Sequence, residues 1–363
     1  MQPVTEPIAL ANSSSFWAPR RSVIATVMGA MTLAALSACD LPLDLGQPTT
    51  RALETGASDG LTTAQSFEVI GSYNGPGAAL PVASGARTSG LAPDTTWTID
   101  LQIVRPATEH LVVSAGNVKL EAIIVSNAAY FRGHDFLAQH MGTDPLSQNL
   151  VKAAGNSWWK GNSSIVPKLP DFTDGTNFRT TFLGTAVTQR TDHVSVDAAA
   201  AVDLSGPRAD VYIAAGSPYR VLRVRLKNGV AIDGISAADL RYSNFDKDFG
   251  IAVPTDVIDF SNLSTLTPIY TVLSVDTSGC GSPCVVSASL KNLGGIRPAK
   301  GTSIITFTMT DAATGKVIGS CQAPVQPDVG FNSTTNVSCT IGGLSGAPNA
   351  AIVTATADNP GQA

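Results

Sequence analysis

The clearest secondary-structure signal in the chain is the stretch Trp97-Thr98-Ile99-Asp100-Leu101-Gln102-Ile103. Apolar and polar side chains alternate along it without a break, which is typical of a strand with one buried and one solvated face. The apolar side chains therefore share one face. A sheet that buries one face needs a second layer over that face, so the rest of the chain has to supply a cover.

Further short strands are predicted on both sides of this stretch, and no helical pattern separates those that follow it directly. Consecutive short strands without intervening helices indicate an antiparallel meander. The other predicted strands of the first two thirds of the chain are residues 66–73, 111–114, 118–125, 128–132, 192–204, 210–215, 219–226 and 239–246.

Residues 134–154 change to helical spacing of the apolar positions. Within this segment Asp144-Pro145 resembles an N-cap followed by proline at the first helical position, which predicts two short helices rather than one. A further helix is predicted at residues 50–61, whereas residues 172–183 are expected to be irregular with one helical turn. We therefore expect an α+β fold over residues 50–260, with an antiparallel sheet covered by short helices.

The first 38 residues have the pattern of an export signal. The basic pair Arg20-Arg21 precedes an apolar run at residues 23–36, which is too short for a convincing membrane span. The run ends in Leu36-Ser37-Ala38-Cys39. An ordinary signal peptide, or an N-terminal anchor in which Cys39 has no role, is the alternative to a lipoprotein signal. Residues 39–49 are expected to form a tether.

Composition limits the classes of function. The net charge is −5 and charged residues make up 14% of the chain, so no basic surface for nucleic acid is expected. His134 and His140 are six positions apart and cannot form the i,i+4 pair of a zinc helix. Asp171 and Asp174 are not followed by further calcium ligands. With no nucleophile or phosphate-binding motif either, we expect no enzyme, no cofactor and no metal.

Four cysteines lie in the last quarter of the chain, at Cys280, Cys284, Cys321 and Cys339. An even number of clustered cysteines in an exported protein indicates two disulfides. A metal site is the alternative, but no His or Glu lies nearby. The sequence favours pairing Cys280 with Cys284 and Cys321 with Cys339, although four cysteines allow three connectivities.

A second β-rich region is predicted after a Ser/Thr-rich linker at residues 261–267. Its regularly spaced short strands, separated by turn signals, are typical of an immunoglobulin-like sandwich over residues 268–363. The turn Asn292-Leu293-Gly294-Gly295, and the segment Asp311 to Gly319 with a late Cys339, resemble surface modules of the CARDB or FxLYD type. The predicted strands are residues 268–276, 285–291, 303–311, 315–321, 334–341 and 350–356.

Two resemblances to known families extend these inferences. Leu36-Ser37-Ala38-Cys39 resembles the bacterial lipobox, which implies that Cys39 is acylated and anchors the chain to the outer face of the cytoplasmic membrane in the cell envelope. Residues 50–258 resemble the LppX/LprAFG family of bacterial lipoproteins. The points of resemblance are the lipobox, the Ser66-Phe67 strand, the helices before Trp158-Trp159-Lys160, the hairpin at residues 219–223 and the closing strand at Pro254.

The LppX/LprAFG resemblance implies a LolA-like fold, a curved antiparallel half-barrel whose concave face is covered by helices. It also implies an apolar cavity for lipid acyl chains between sheet and helices. A closed core, filled by side chains, is the alternative for the same residues. The predicted cavity residues are Trp97, Ile99, Leu101, Ile103, Phe136, Leu137, Met141, Leu146, Leu150 and Val151.

The expected function is a non-enzymatic, membrane-anchored lipoprotein that binds a lipid or another apolar ligand. The alternative is a surface adhesion or scaffold lipoprotein whose immunoglobulin-like region binds a cell-envelope protein. The cationic row Arg223, Arg225 and Lys227 has two interpretations, a contact for lipid headgroups or the solvated face of a strand.

Overall fold

The computed structural model describes residues 47–75, 95–342 and 350–362. The predicted signal segment 1–38, Cys39 and most of the predicted tether lie outside these residues. The described chain is mainly β-structure with short helices. Its α-helices are α1 (Thr50–Thr63), α2 (His134–His140), α3 (Pro145–Ala154), α4 (Pro170–Thr173) and α5 (Gly175–Phe182).

The first part of the described chain contributes the strands of one large sheet. They are β1 (Ser66–Asn74), β2 (Thr96–Val104), β3 (Thr108–Ala115), β4 (Val118–Val125), β5 (Ala128–Arg132), β6 (Trp158–Gly161), β7 (Gln189–Val196), β8 (Ala199–Ser205), β9 (Ala209–Ala214), β10 (Val221–Leu226), β11 (Ala231–Ile232), β12 (Ile235–Ser243) and β13 (Val257–Ile258).

This 13-stranded sheet is open, in the order β13-β6-β5-β4-β3-β2-β1-β12-β10-β9-β8-β7, with β11 attached to β12. All pairs are antiparallel except β13 with β6. The first strand therefore lies in the middle, where β12 returns to pair with it. At Gly71 of β1 an added Cβ would lie 2.0 Å from the carbonyl oxygen of Asp239, so the close approach of β1 and β12 requires glycine there.

One apolar core joins the inner face of this sheet to the helices. The predicted alternation of β2 is present, since Trp97, Ile99 and Leu101 are buried while Thr96 and Thr98 are exposed. The predicted pair of short helices is also present. Asp144 is the N-cap of α3, and its side chain accepts a hydrogen bond from the backbone N–H of Ser147.

Two predictions about local structure were wrong. Residues 172–183 are largely helical rather than irregular, because Asp174 caps α5 through the backbone N–H groups of Thr176 and Asn177, and Phe178 and Phe182 bury the same face of that helix. Residues 192–204 form two strands, β7 and β8, rather than one. The turn between them places Asp197 and Ala198 at positive φ, which the alternation pattern does not reveal.

The second part of the described chain forms two three-stranded antiparallel sheets. One sheet has the order β14-β15-β18 and the other the order β17-β16-β19. Side chains of both sheets share one apolar core, including Val286 and Leu290 from the first and Ile305 and Phe307 from the second. The strands are β14 (Tyr270–Asp276), β15 (Cys284–Asn292), β16 (Ile304–Asp311), β17 (Val317–Pro324), β18 (Thr334–Ile341) and β19 (Ala351–Asp358).

All six strands predicted for this region are therefore present, and they form a two-layer sandwich. The structure joins Cys280 to Cys284 and Cys321 to Cys339. The Cys321–Cys339 bond connects β17 of one sheet to β18 of the other, with Cα atoms 6.1 Å apart. The immunoglobulin-like assignment and the boundaries at residues 261–267 stay predictions.

The segment predicted as a linker is packed against the backbone at Gly294 and Gly295. It contains a short 3₁₀ turn, Leu263–Thr265, and Leu266 and Thr267 are fully buried. Gly294 and Gly295 lie so close to its backbone that a Cβ at either position would be 2.0 Å from a carbonyl oxygen. Asn292 fixes this junction, since its side chain accepts hydrogen bonds from the backbone N–H groups of Ile269 and Gly294.

Candidate functional site

The inner face of β2 lies at the centre of the candidate site. Trp97 and Ile99 are 2% exposed and Leu101 is 7% exposed, while Ile103 is partly buried against the same core. All four predicted residues of this strand therefore share one enclosed apolar face. Most of the free energy of such a face comes from apolar area removed from water, about 25 cal/mol per Å².

The neighbouring strands extend this apolar face on both sides of β2. On β1, Tyr73 lies opposite Trp97, Val69 opposite Leu101 and Phe67 opposite Ile103. Val113 and Leu111 on β3 lie opposite Ile99 and Leu101. Cross-strand pairs of this kind are the unit of packing in antiparallel sheets. The central strands β1 to β3 thus present a continuous apolar surface to the interior.

The helices that cover the sheet fall into two sets. Helices α2 and α3 pack on each other, and α2 packs on β4. Helix α1 packs on β9, β10 and α5, and Phe178 of α5 contacts Tyr242 of β12 edge-on, with ring centroids 6.3 Å apart. In the order of the sheet, β1 to β3 lie between β4 on one side and β12, β10 and β9 on the other. The candidate site is the apolar region between the two sets of helices.

The predicted residues on α2 and α3 are placed unequally. Phe136 and Leu137 are fully buried and Val151 is 7% exposed. Met141 and Leu150 are partly buried against the same core. Leu146 is the exception, because its side chain is 44% exposed. Nine of the ten predicted residues therefore contact one core, and Leu146 lies outside it.

One end of the β1–β2 face is closed by the chain itself. The rings of Phe67 and Phe245 stack with centroids 5.8 Å apart. Arg105, directly after β2, donates hydrogen bonds to the carbonyl oxygens of Leu61 and Ala64 at the end of α1. These contacts fix the last turn of α1 to the Ile103 end of β2.

Tyr73 lies at the other end of this face, and sequence reasoning did not single it out. Its side chain is fully buried, and its hydroxyl has no hydrogen-bond partner among the described residues. Burial raises the pKa of this phenol well above its ordinary value, so the hydroxyl keeps its proton. The signal was present in the sequence, because Tyr73 continues the inward series Phe67, Val69 and Gly71 along β1.

A β-bulge in β12 lies opposite Tyr73. Ser72 pairs with Asp239 while Asn74 pairs with Ser236, so Tyr73 faces two residues of β12 instead of one. One of these, Ala237, has φ +48°, a backbone conformation uncommon for alanine. The bulge bends β12, the strand that contains the extra residue.

Tyr242 provides an internal comparison, because it is a second buried tyrosine in the same core. Its hydroxyl donates a hydrogen bond to the carbonyl oxygen of Phe172 over 2.9 Å. Buried tyrosine hydroxyls usually find such a partner, since leaving them unpaired is unfavourable. Tyr73 is therefore the tyrosine whose hydroxyl calls for an explanation.

The outer face of the sheet carries a hydrogen-bonded row of polar side chains. Gln102 donates to Glu68 over 3.1 Å, and its side-chain oxygen lies 3.2 Å from Nδ1 of His110. His110 Nε2 lies 3.0 Å from Glu121, which also accepts from Arg132. Burial raises the pKa of Glu121, but the hydrogen bonds from Arg132 and His110 outweigh it and hold this pKa below its ordinary value.

The cationic row on β10 belongs to the same outer face, and the cations are ion-paired. Arg223 pairs with Asp239. Arg225 and Lys227 both pair with Asp210, which is 7% exposed at its side chain. Pairing within the sheet favours the interpretation as a solvated strand face over a free contact for headgroups.

The other polar residues considered from the sequence have local structural contacts. His140 packs against Phe136 with tilted rings whose centroids lie 4.1 Å apart, whereas His134 contacts Asp135. Asp174 caps α5, and the backbone N–H of Asp171 donates to Asp233. Within the described ranges, no group of three or more His, Cys, Asp or Glu side chains is arranged to hold a metal ion.

Two surface cavities of more than 300 Å³ are formed by described residues. One, of about 310 Å³, is polar and borders the start of α2. The other, of about 350 Å³, lies where the β7–β8 turn meets Ile70 and Arg241. Neither is lined by any of the ten predicted residues. The lining residues are Lys119, Glu121, Arg132, Gly133, His134, Asp135 and Asn156 for the first, and Ile70, Val196, Asp197, Ala199, Leu222, Arg241, Tyr242 and Ser243 for the second.

None of the helices formed by the described residues is both long enough and apolar enough to cross a membrane.

No protein-family model matches the chain, and no curated protein matches it. Among solved structures, the chain is similar to the crystal structure of LprF from Mycobacterium bovis, with 13% sequence identity and a TM-score of 0.33. The similarity covers 58% of this chain and 99% of the LprF chain. At this identity and TM-score, the similarity establishes neither a family nor a function for this chain.

Proposed function

We propose that this protein is a non-enzymatic lipoprotein that binds a lipid or another apolar molecule between the central strands and the two sets of helices. Cys39, acylated, anchors it to the outer face of the bacterial cytoplasmic membrane, so that the binding domain faces the cell envelope. Two or three acyl chains at about 0.8 kcal/mol per buried CH₂ hold a protein at a membrane durably.

The observation that carries the proposal is the division of the helical cover over one continuous apolar face. Trp97 and Ile99 are enclosed, and the main strand contacts of α1 and α2 are with β9, β10 and β4 rather than with β2. An apolar ligand can bind on such a face without any catalytic group, because the transfer of apolar surface from water supplies the binding free energy. The resemblance of Leu36-Ser37-Ala38-Cys39 to a lipobox supports a location at a membrane, where lipid ligands are available.

An observation on the sandwich supports a second candidate function, adhesion to a cell-envelope protein. Large apolar side chains are exposed there, and exposed apolar surface marks interaction sites when it is contiguous. Val317 and Ile352 both pair with Thr310 and therefore share one face of a sheet, and each is more than half exposed. This role is compatible with ligand binding by the first part of the chain.

The substitution Ile99→Trp tests the binding proposal. If a ligand occupies the space beside Ile99, the larger ring takes part of that space, so stability changes little and lipid recovery from the purified protein falls. In a closed core the same substitution overpacks, which destabilises by about 1–3 kcal/mol. Equal lipid recovery from both proteins, with a clear loss of stability in the variant, would contradict the proposal.

Val224→Trp is the matched control. Val224 is fully buried in β10, on which α1 packs directly. We expect this variant to lose stability by about 1–3 kcal/mol, as overpacking of a filled core requires. If Ile99→Trp keeps its stability while Val224→Trp loses it, the surroundings of Ile99 accept a larger ring and those of Val224 do not.

A further inference from the structure

We propose that the surface cavity beside the β7–β8 turn binds a small carboxylic acid with an apolar body. Arg241 holds the carboxylate, and Ile70 and Leu222 contact the apolar part. This site lies on the outer face of the sheet. It is therefore separate from the inner face, and it does not depend on the ligand proposed there.

The cavity forms where the end of a hairpin reaches across the outer face. Ile70 of β1 pairs with Arg241 of β12, and both lie on the outer face because their neighbours Val69 and Leu240 are buried in the inner core. In the sheet, β8 lies three strand spacings from β12, each of about 4.8 Å. The β7–β8 turn nevertheless places Asp197 3.6 Å from Arg241. This turn therefore lies against the outer face, and it borders a space of about 350 Å³.

The lining combines apolar walls with a few polar groups. Ile70, Val196 and Leu222 supply apolar surface, and Arg241 and Ser243 supply hydrogen-bond donors. Ile70 is 43% exposed although it lies in a strand at the middle of the sheet. Cavities of this size with mostly apolar walls and a few placed polar groups are typical of small-molecule sites.

Arg241 is a cation that the sheet pairs only loosely. It lies directly opposite Arg223 in the register of β10 and β12, and like charges opposite each other are unfavourable. Arg223 is neutralised by Asp239, which accepts hydrogen bonds from two of its nitrogens. Asp197 lies 3.6 Å from Arg241, beyond hydrogen-bond distance, and both side chains are more than half exposed. Such a pair contributes little to stability, so a ligand can replace Asp197 at low cost.

The chemistry of Arg241 selects the ligand. A planar guanidinium binds a carboxylate through two parallel hydrogen bonds, which a compact ammonium group cannot do. A carboxylate on Arg241 would also offset the repulsion from Arg223. An apolar body attached to that carboxylate removes the exposed surface of Ile70 from water, which adds to the binding free energy.

Isothermal titration calorimetry with 4-phenylbutyrate and with its primary amide, 4-phenylbutyramide, tests the inference. The two probes share one apolar body, and only the acid carries a carboxylate. We expect wild type to bind the acid at about millimolar concentration. The acid should bind about tenfold more tightly than the amide, the lower end of the range for hydrogen bonds to a charged group.

Two variants assign the preference to this site. Arg241→Gln should remove the preference for the acid. Asp197→Asn should instead strengthen binding of the acid by about two- to fivefold, the range of one exposed ion pair, because the carboxylate that competes with the ligand is gone. Both positions are more than half exposed, so neither variant disturbs the core.

Arg225→Gln is the matched control, because it removes one positive charge from the same face. Arg225 pairs with Asp210 and is not among the residues that line the cavity, so we expect the preference for the acid to remain. Equal binding of acid and amide by wild type, or binding of neither, would overturn the inference. A preference that survives Arg241→Gln, or that Arg225→Gln removes to the same extent, would also overturn it. Weaker binding of the acid by Asp197→Asn would contradict it, because the ligand would then require the ion pair intact.

Discussion

The backbone N–H of Gln362 donates a hydrogen bond to the carbonyl oxygen of Lys152 over 3.1 Å. Lys152 lies in the last turn of α3, and Gln362 follows the last strand of the sandwich. Ser157, just after α3, also donates to the Gln362 side chain over 2.6 Å. The segment after β19 therefore fixes one of the helices that flank the candidate site.

We predict that Gly361→Ala releases this segment from α3. Gly361 has φ +76°, and an added Cβ would lie 2.3 Å from the carbonyl oxygen of Lys152. The left-handed backbone alone costs an alanine about 1–2 kcal/mol, and the clash adds to it. Hydrogen exchange should become faster for the amides at the end of α3, which hydrogen-exchange mass spectrometry can measure.

Gly315→Ala is the control for this prediction. Gly315 has φ +68° in the turn between β16 and β17, with no atom within 4 Å of an added Cβ. The Gly315→Ala substitution should lower stability through backbone strain, and it should leave hydrogen exchange in α3 unchanged. If both variants behaved alike in α3, the contact at Lys152 would not hold the helix.

A second prediction concerns the two disulfides. Cys321–Cys339 spans 18 positions and Cys280–Cys284 only 4. Closing a loop of about 15 residues stabilises by roughly 3 kcal/mol in the chain-entropy model, and shorter loops by less. Cys321→Ser with Cys339→Ser should therefore lose about 2–4 kcal/mol in urea denaturation, more than the pair Cys280→Ser with Cys284→Ser. Four reactive thiols in the native protein would contradict both bonds.

A third prediction concerns acid stability and Glu121. Folding lowers the pKa of Glu121. The ionised carboxylate therefore stabilises the folded state at every pH above the ordinary glutamate pKa of about 4.3. This stabilisation is lost as the pH falls through the lowered pKa. Glu121→Gln should lose about 1.5–3 kcal/mol at pH 7, the range for hydrogen bonds to charged groups. The difference from wild type should shrink at pH 3, and an equal difference at both pH values would contradict this assignment.

A fourth prediction concerns Cys39, which lies outside the described residues. If Leu36-Ser37-Ala38-Cys39 acts as a lipobox, Cys39→Ala should leave the precursor uncleaved or release protein without acyl chains. Detergent-phase partitioning of the mature chain measures this directly. A processed Cys39→Ala variant that still partitions into detergent would rule out acylation at this residue.

Strict alternation and capping residues made much of the fold predictable. Strand β5 has the predicted bounds, and Asp144 caps α3 as its place before Pro145 indicated. Helix α5 was missed because its threonines and glycine have low helix propensity, whereas the Asp174 cap and the Phe178–Phe182 spacing were readable. The placement of β1 beside β12 depends on residues far apart in the chain, which local patterns do not encode.

The candidate site was predictable only in part, for the same reason. Alternation placed Trp97, Ile99 and Leu101 on one face, because it is a local property of one strand. Leu146 fits the helical spacing of α3 but is exposed, because tertiary packing decides which side chains of a helix are covered. Tyr73 was readable as the next inward residue of β1. The bulge of β12 opposite it was not, because it depends on the register of a partner strand.

Mass spectrometry of the protein purified from its own membrane tests the central claim most directly. Native conditions preserve non-covalent lipid, whereas denaturing conditions leave only the acyl chains bonded to Cys39. We predict a native mass that exceeds the denatured mass by one lipid, and recovery of that lipid by solvent extraction. Identical native and denatured masses, with no extractable lipid, would show that the face around Trp97 and Ile99 is a closed core and that this protein does not carry a lipid.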